Sequence, residues 1–157
     1  MPFEPVILAF NCNWCSYAAA DLAGIARLQY PPNLRIIRVM CSGMVHPNLV
    51  LEAFQKGADG VMVMGCHIGE CHYVDGNEKA QRRMVIVEEM LDMMGLEPER
   101  FRLVWCSSSE AERFATSIRE MTEAVRGLGP SPYRLGTIPE HEAVETPVCP
   151  SPSSRKD

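Results

Sequence analysis

The sequence predicts a single α/β domain: a parallel sheet of about four strands with helices on both faces. Three observations carry that expectation. Short runs rich in strand-forming residues alternate with longer segments of helical period. Two of the short runs, Val6–Phe10 and Val61–Met64, are almost wholly apolar, as strands covered on both faces are. The strand–helix alternation repeats along the chain, which implies parallel strands joined by right-handed crossovers.

The elements follow in order. Val6–Phe10 is the first strand, and Tyr17–Leu28 is an alanine-rich helix with Leu22, Ile25 and Leu28 at helical spacing. Leu34–Met40 is the second strand. Pro47–Lys56 is a helix with proline in its first turn and Gly57 just past its end. Val61–Met64 is the third strand. The helix Asn77–Met94 follows the turn signal Asp75-Gly76 and stops at Gly95. Phe101–Trp105 is the fourth strand. The last helix opens on a capping box, Ser109-Glu-Ala-Glu112, and carries the stripe Phe114, Ala115, Ile118, Met121, Val125 and Leu128. Gly129-Pro130 ends it. Strand order 2-1-3-4 is the flavodoxin-like choice within this Rossmann-like class, although one sequence does not reveal strand order.

Residues 1–128 thus form the predicted domain. From Gly129 to Asp157 the chain is rich in proline, serine and glycine and has no period. Such a tail is expected to be disordered alone or extended on a partner. No internal repeat is present.

At 157 residues the chain is long enough for one buried core and too short for two domains. Fifteen basic residues against twenty acidic ones give a net charge of −5, with no basic block, which excludes a nucleic-acid partner. The start, MPFEPVILAF, lacks the pattern of a signal peptide, and no apolar run approaches the roughly 20 residues that span a bilayer. A cytoplasmic protein is therefore expected, where thiols stay reduced. Of the ten methionines, Met62, Met64 and Met84 suit the core, while Met90, Met93 and Met94 also suit an adaptable docking face.

Seven cysteines in a reducing compartment point to metal ligation or redox chemistry rather than disulfides. Four of them, Cys12, Cys41, Cys66 and Cys106, directly follow strand-like runs, and Cys15 and Cys71 lie close behind. In a doubly wound sheet, ligands bind outside the carboxyl ends of the strands. Cys12, Cys15, Cys41, Cys66 and Cys71 would converge there, beside helix N-termini that favour thiolate. Gly43, Gly65 and Gly69 keep the loops compact and let amides approach sulfur. Cys106 is as well explained as a core residue, and Cys149 sits in the tail.

Several chemistries compete for these thiols. Zinc sites usually pair two C-x₂-C motifs, whereas only Cys12–Cys15 has that spacing and Cys66–Cys71 is C-x₄-C. His67 and His72 do not have a Rieske spacing, and they suit hydrogen bonding to sulfur or partner docking. An all-cysteine [2Fe–2S] centre fits best, with one of five thiols left over. The alternatives are a zinc-binding structural subunit and a thioredoxin-like dithiol–disulfide oxidoreductase using Cys12 and Cys15, which leaves Cys41, Cys66 and Cys71 unexplained. No Ser/His/Asp arrangement, phosphate-binding glycine loop or paired-carboxylate site appears, so no catalytic residue is assigned.

The motifs Cys12-Asn-Trp-Cys15-Ser-Tyr-Ala, Arg38-Val-Met-Cys41-Ser-Gly43 and Gly65-Cys66-His67-Ile-Gly69-Glu-Cys71-His72-Tyr73 resemble the delta subunit of methyl-viologen-reducing (F420-non-reducing) hydrogenase. The resemblance runs from about Pro5 to Leu128. That family also occurs as domains fused to the A component of heterodisulfide reductase. The resemblance implies a small electron-transfer subunit with one [2Fe–2S] cluster. It would link a hydrogenase or formate dehydrogenase to the flavin-containing heterodisulfide reductase, which bifurcates electrons in methanogenesis. Carried onto this chain, the motif cysteines are Cys12, Cys15, Cys41, Cys66 and Cys71. Cys106, after Trp105, departs from the small hydroxyl residue expected there, and the tail lies outside the resemblance.

Overall fold

A computed structural model describes residues 3–134. Cys149 and most of the predicted tail lie outside the described residues. The chain runs β1 (Ile7–Cys12), α1 (Ser16–Ile25), β2 (Leu34–Val39), α2 (Pro47–Gln55), β3 (Gly60–Gly65), α3 (Gly76–Met93), β4 (Phe101–Trp105) and α4 (Ala111–Leu128), with 3₁₀ turns at Ser42–Met44 and Pro98–Arg100. All pairings are parallel, and the sheet order is β2-β1-β3-β4, the flavodoxin-like arrangement. Ile7 pairs with both Leu34 and Gly60, and Val61 pairs with Phe101, so the four C-terminal strand ends lie level along one edge.

Strand alternation divides the core into two layers. Phe10, Val61 and Val63 face α2 and α3, where they meet Phe54, Met84, Val87 and Leu91. Ile7, Ala9, Met62 and Met64 face α1 and α4, against Ala19, Ala23, Phe114, Ile118 and Met121. Met62, Met64 and Met84 fill the core as expected. The central strand β3 is buried at every position, whereas the edge strand β2 is largely exposed.

Three local expectations change. Helix α1 buries Ser16, Ala19 and Ala23, while Leu22 and Ile25 face outward. Small side chains win because α1 packs closely against both the sheet and α4. The capping box does not form. Glu110 takes the N-cap position of α4, Ser109 Oγ meets Ser107 Oγ at 3.1 Å, and Glu112 pairs with Arg119 at 2.7 Å. On α3, Met84 is buried and Met90 and Met94 pack against the core, so only Met93 of the suggested methionine face is freely exposed.

Residues 129–134 pack against the base of the sheet. Asp59, fully buried, accepts hydrogen bonds from the Val6 amide (2.7 Å), the Ser131 amide (2.9 Å) and Arg134 (2.8 Å). Buried Arg100 donates to the carbonyls of Asp59 (3.1 Å) and Gly129 (3.0 Å) and is paired with Glu97, whose carboxyl it holds below its usual range.

Candidate metal centre

The level strand ends put the predicted thiols in adjacent loops. Cys12 closes β1, and Cys15 lies one turn on, at the N-cap of α1. Cys41 caps the 3₁₀ turn after β2, Cys66 follows β3, and Cys71 begins a tight turn before α3. Four of the five are buried, and Cys71 is partly exposed.

The thiols fall into two groups. The sulfurs of Cys12, Cys15 and Cys66 all lie within 4.8 Å of one another, with Cys12 and Cys66 3.9 Å apart. Cys41 and Cys71 form a second pair at 3.8 Å. Two thiolates on one tetrahedral metal, each at about 2.3 Å, stand roughly 3.8 Å apart, so both pairs have the spacing of shared ligands. The donor set is all sulfur, which suits iron–sulfur groups or zinc and not hard oxygen-seeking cations.

Two glycines make the second pair possible. A Cβ on Gly43 would lie 2.5 Å from the Gly76 carbonyl oxygen, so the Cys41 loop and the start of α3 touch backbone to backbone. A Cβ on Gly76 would strike Cys41 Sγ and come within 3.2 Å of Cys71 Sγ. Arg83 ties the contact down by donating to the Gly43 carbonyl at 2.5 Å.

Backbone amides aim at the sulfurs. The Gly43 amide donates to Cys41 Sγ at 3.4 Å, while the amides of Trp14 and Ser42 near Cys12 and of His72 near Cys66 favour the thiolate form of those sulfurs. A hydrogen bond from the Cys15 thiol, reinforced by those amides and Cys66, brings Cys12 down to about 6 against the cost of burial. Cys15, as the donor in that contact, is pushed far up. Burial first, then Cys71, raises Cys41 to about 11, and burial likewise raises Cys66. A thiolate is thus favoured at Cys12, while Cys15, Cys41 and Cys66 are held toward the protonated form.

The two histidine rings have other partners. His67 Nε2 meets Glu110 Oε2 at 2.6 Å, and Glu110 also accepts the Ser107 amide at 2.7 Å. These contacts, the amide first, hold the Glu110 carboxyl down at about 2 and join the loops after β3 and β4. The His72 ring stacks on Trp14 at 3.8 Å between centroids, and Trp14 Nε1 donates to Tyr73 Oη at 3.2 Å. The stack is half-exposed at the mouth of a cleft of about 220 Å³ reaching Cys15 and Cys66. A second cleft, about 310 Å³, reaches Cys41 between Met40, Met44 and Tyr73.

Cys106 is not among these thiols. It is fully buried in the α1/α4 layer, donates to the carbonyls of Ser107 and Glu110, and is raised to about 11 by burial and by Glu110. Sequence reasoning missed three supports. Ser16 Oγ accepts the Cys12 amide and donates to the Met64 carbonyl, both at 2.9 Å. Asn77, fully buried, donates to the carbonyls of Cys66 (3.0 Å) and His67 (2.6 Å). Ser42 is a buried hydroxyl beside the thiols. Each sits within one to three residues of a motif cysteine or turn signal, the only sequence cue available.

The family model described as FlpD, methyl-viologen-reducing hydrogenase delta subunit, matches residues 7–129. The chain belongs to this family. The FlpD match covers all four strands, all five motif cysteines and helices α1–α4. Among relatives, the vhc F420-non-reducing hydrogenase iron-sulfur subunit of Methanococcus voltae is 48% identical over 135 residues, 86% of this chain and 94% of the relative. The F420-non-reducing hydrogenase iron-sulfur subunit of Archaeoglobus profundus is 50% identical over 128 residues, 82% of this chain and 93% of the relative. The A component of the ferredoxin/F(420)H(2)-dependent CoB-CoM heterodisulfide reductase of Methanosarcina acetivorans is 52% identical over 126 residues. That match takes in 80% of this chain but only 16% of the reductase component, so the FlpD unit also stands within a much longer chain. Among the described residues no helix is long and apolar enough to cross a membrane.

Proposed function

We propose that this chain is an electron-relay subunit holding one [2Fe–2S] cluster on four of Cys12, Cys15, Cys41, Cys66 and Cys71. The observation that carries the reading is the division of the five thiols, four of them buried, into a group of three and a group of two, each containing a pair at tetrahedral ligand spacing. Cys41 and Cys71 would hold one iron, and two of Cys12, Cys15 and Cys66 the other. When bound, the cluster supplies one-electron chemistry at a potential set by hydrogen bonding and burial.

The protein's own part is to hold and shield. The amides of Trp14, Ser42, Gly43 and His72 offset negative charge on sulfur, and the Trp14–His72 stack limits water access without closing the site. The two clefts bring the surface close to different thiols, Cys15 and Cys66 in one that is polar and aromatic, Cys41 in the other, which is apolar with exposed methionine. A relay needs such access for both a donor and an acceptor.

The relatives' names support a hydrogenase as one partner, and in this reading it is the electron donor, with a formate dehydrogenase as the alternative donor. The match to the A component of a heterodisulfide reductase supports that component as the acceptor, and in this reading the two act within an electron-bifurcating complex of methanogenesis in the cytoplasm. Iron and sulfide analysis with electron paramagnetic resonance tests the cluster. The reduced wild type should hold iron and sulfide in equal amounts and give the signal of one [2Fe–2S] centre. Cys41→Ala and Cys71→Ala should each lose it. An iron-free, colourless protein made without oxygen would overturn the reading. Stoichiometric zinc would favour the structural-zinc alternative, and a dithiol activity that survives both substitutions would favour an oxidoreductase using Cys12 and Cys15.

A further inference from the structure

Ser42 is 1% exposed, and its Oγ has no hydrogen-bond partner among the described residues. Leaving a buried hydroxyl unpaired costs about 1–3 kcal/mol, so alanine would suit the fold better unless another group receives that hydrogen bond. Its placement says where the acceptor lies. A Cβ on Gly65 would stand 2.6 Å from Ser42 Oγ, so the hydroxyl lies against the end of β3, one residue before Cys66. Cys41 precedes Ser42 in the chain, and its sulfur lies 3.4 Å from the Gly43 amide on the other side of Ser42. The hydroxyl is therefore placed between the Cys41 loop and the strand end that leads into Cys66, two of the candidate ligands, whose sulfurs a bound group would share.

We infer that Ser42 Oγ donates a hydrogen bond to a sulfur of the bound iron–sulfur group and thereby raises its reduction potential. The inference rests on the relay reading above. Reduction adds negative charge to the group, so a donor aimed at its sulfur stabilises the reduced form more than the oxidised form. Ser42 is thus a positioning residue: it completes the surroundings of the group without being a ligand. Asn11, the other buried side chain with unpartnered atoms, alternates with Ile7 and Ala9 toward the α1/α4 layer.

The test is potentiometric titration of the reconstituted protein, followed by electron paramagnetic resonance, for wild type, Ser42→Ala and Gly65→Ala. Ser42→Ala should retain the cluster and shift its reduction equilibrium roughly tenfold toward the oxidised form, a potential about 59 mV lower for one electron. Gly65→Ala should shift it in the same direction, because the new methyl displaces the hydroxyl while leaving serine in place. Metal-free Ser42→Ala should unfold at the same or a higher denaturant concentration than metal-free wild type. Unchanged potentials in cluster-bearing variants would overturn the inference and leave the relay reading intact. A Ser42→Ala protein that is less stable without metal and fails to hold the cluster would also overturn it, by making Ser42 structural. A wild type that binds no iron and sulfide would instead sink the relay reading itself.

Discussion

Single side chains decide which thiols are chemically available. Cys12 is brought down to about 6 from 9.0 by the Cys15 thiol and neighbouring amides, whereas burial raises Cys41 and Cys106 to about 11. The signs differ. A depressed thiol stabilises the fold fully above its unfolded value and loses that contribution as pH falls through the folded one. A raised thiol destabilises as pH climbs, because the unfolded chain ionises first. The metal-free protein should therefore gain stability from about pH 6 toward 9 and lose it above 9. Denaturant midpoints across that range measure this, and Cys12→Ala should flatten the rising limb; an unchanged limb would refute the assignment of the thiolate. Cys106 gives the complementary case. Its sequence position after β4 matches that of the site thiols, yet its side chain lies inside the α1/α4 layer. Position after a strand was legible in the sequence, but the side of the sheet end on which a thiol falls was not. Cys106→Ala should leave the iron content unchanged and cost about 1 kcal/mol of stability from the lost packing.

Elements bring the thiols together through backbone contacts that side-chain patterns do not announce. The four strands and four helices were legible, because apolar runs and helical periods reflect burial directly. Two signals misled. The Leu22/Ile25 stripe lost to the alanines of α1, since close helix–helix packing rewards small residues more than large ones. The capping box lost to Glu110, whose carboxylate is needed by the Ser107 amide and His67. Neither competitor can be seen without knowing which elements are neighbours. The same holds for Gly76, which reads in sequence only as half of a turn signal, yet its missing Cβ leaves room for Cys41 and Cys71. Gly76→Ala should keep or slightly raise helical content, because alanine costs roughly 1 kcal/mol less than glycine in a helix. It should also reduce iron binding to background, by forcing Cys41 and Cys71 apart. Circular dichroism and iron analysis on one preparation separate the effects, and full iron loading would show that the glycine contact does not shape the site.

At the scale of the molecule, the thiol edge and the opposite edge are built on different principles. The thiol edge is a set of loops held by amides, small residues and aromatic stacking, and it opens to the surface through two clefts. The base is closed by charge. Asp59 and Arg100 are buried there, and both depend on residues 129–134, a segment whose proline- and serine-rich composition reads as tail. A few backbone groups meeting a buried carboxylate order residues 129–134 although this stretch has no apolar period of its own. Removing one side of such an arrangement leaves an uncompensated buried charge, which costs about 3–5 kcal/mol. A chain ending at residue 128 should therefore be about 3 kcal/mol less stable than one ending at residue 134, near the lower limit because the opened base admits water. It loses the Ser131 amide and Arg134 from Asp59 and the Gly129 carbonyl from Arg100. Adding Asp59→Asn to the shorter chain should recover much of the difference, since the charge left without partners is then gone. Urea midpoints of the three proteins check this. Equal midpoints for the two chain lengths would show that the base holds without the segment, and that the domain is complete at the end of α4.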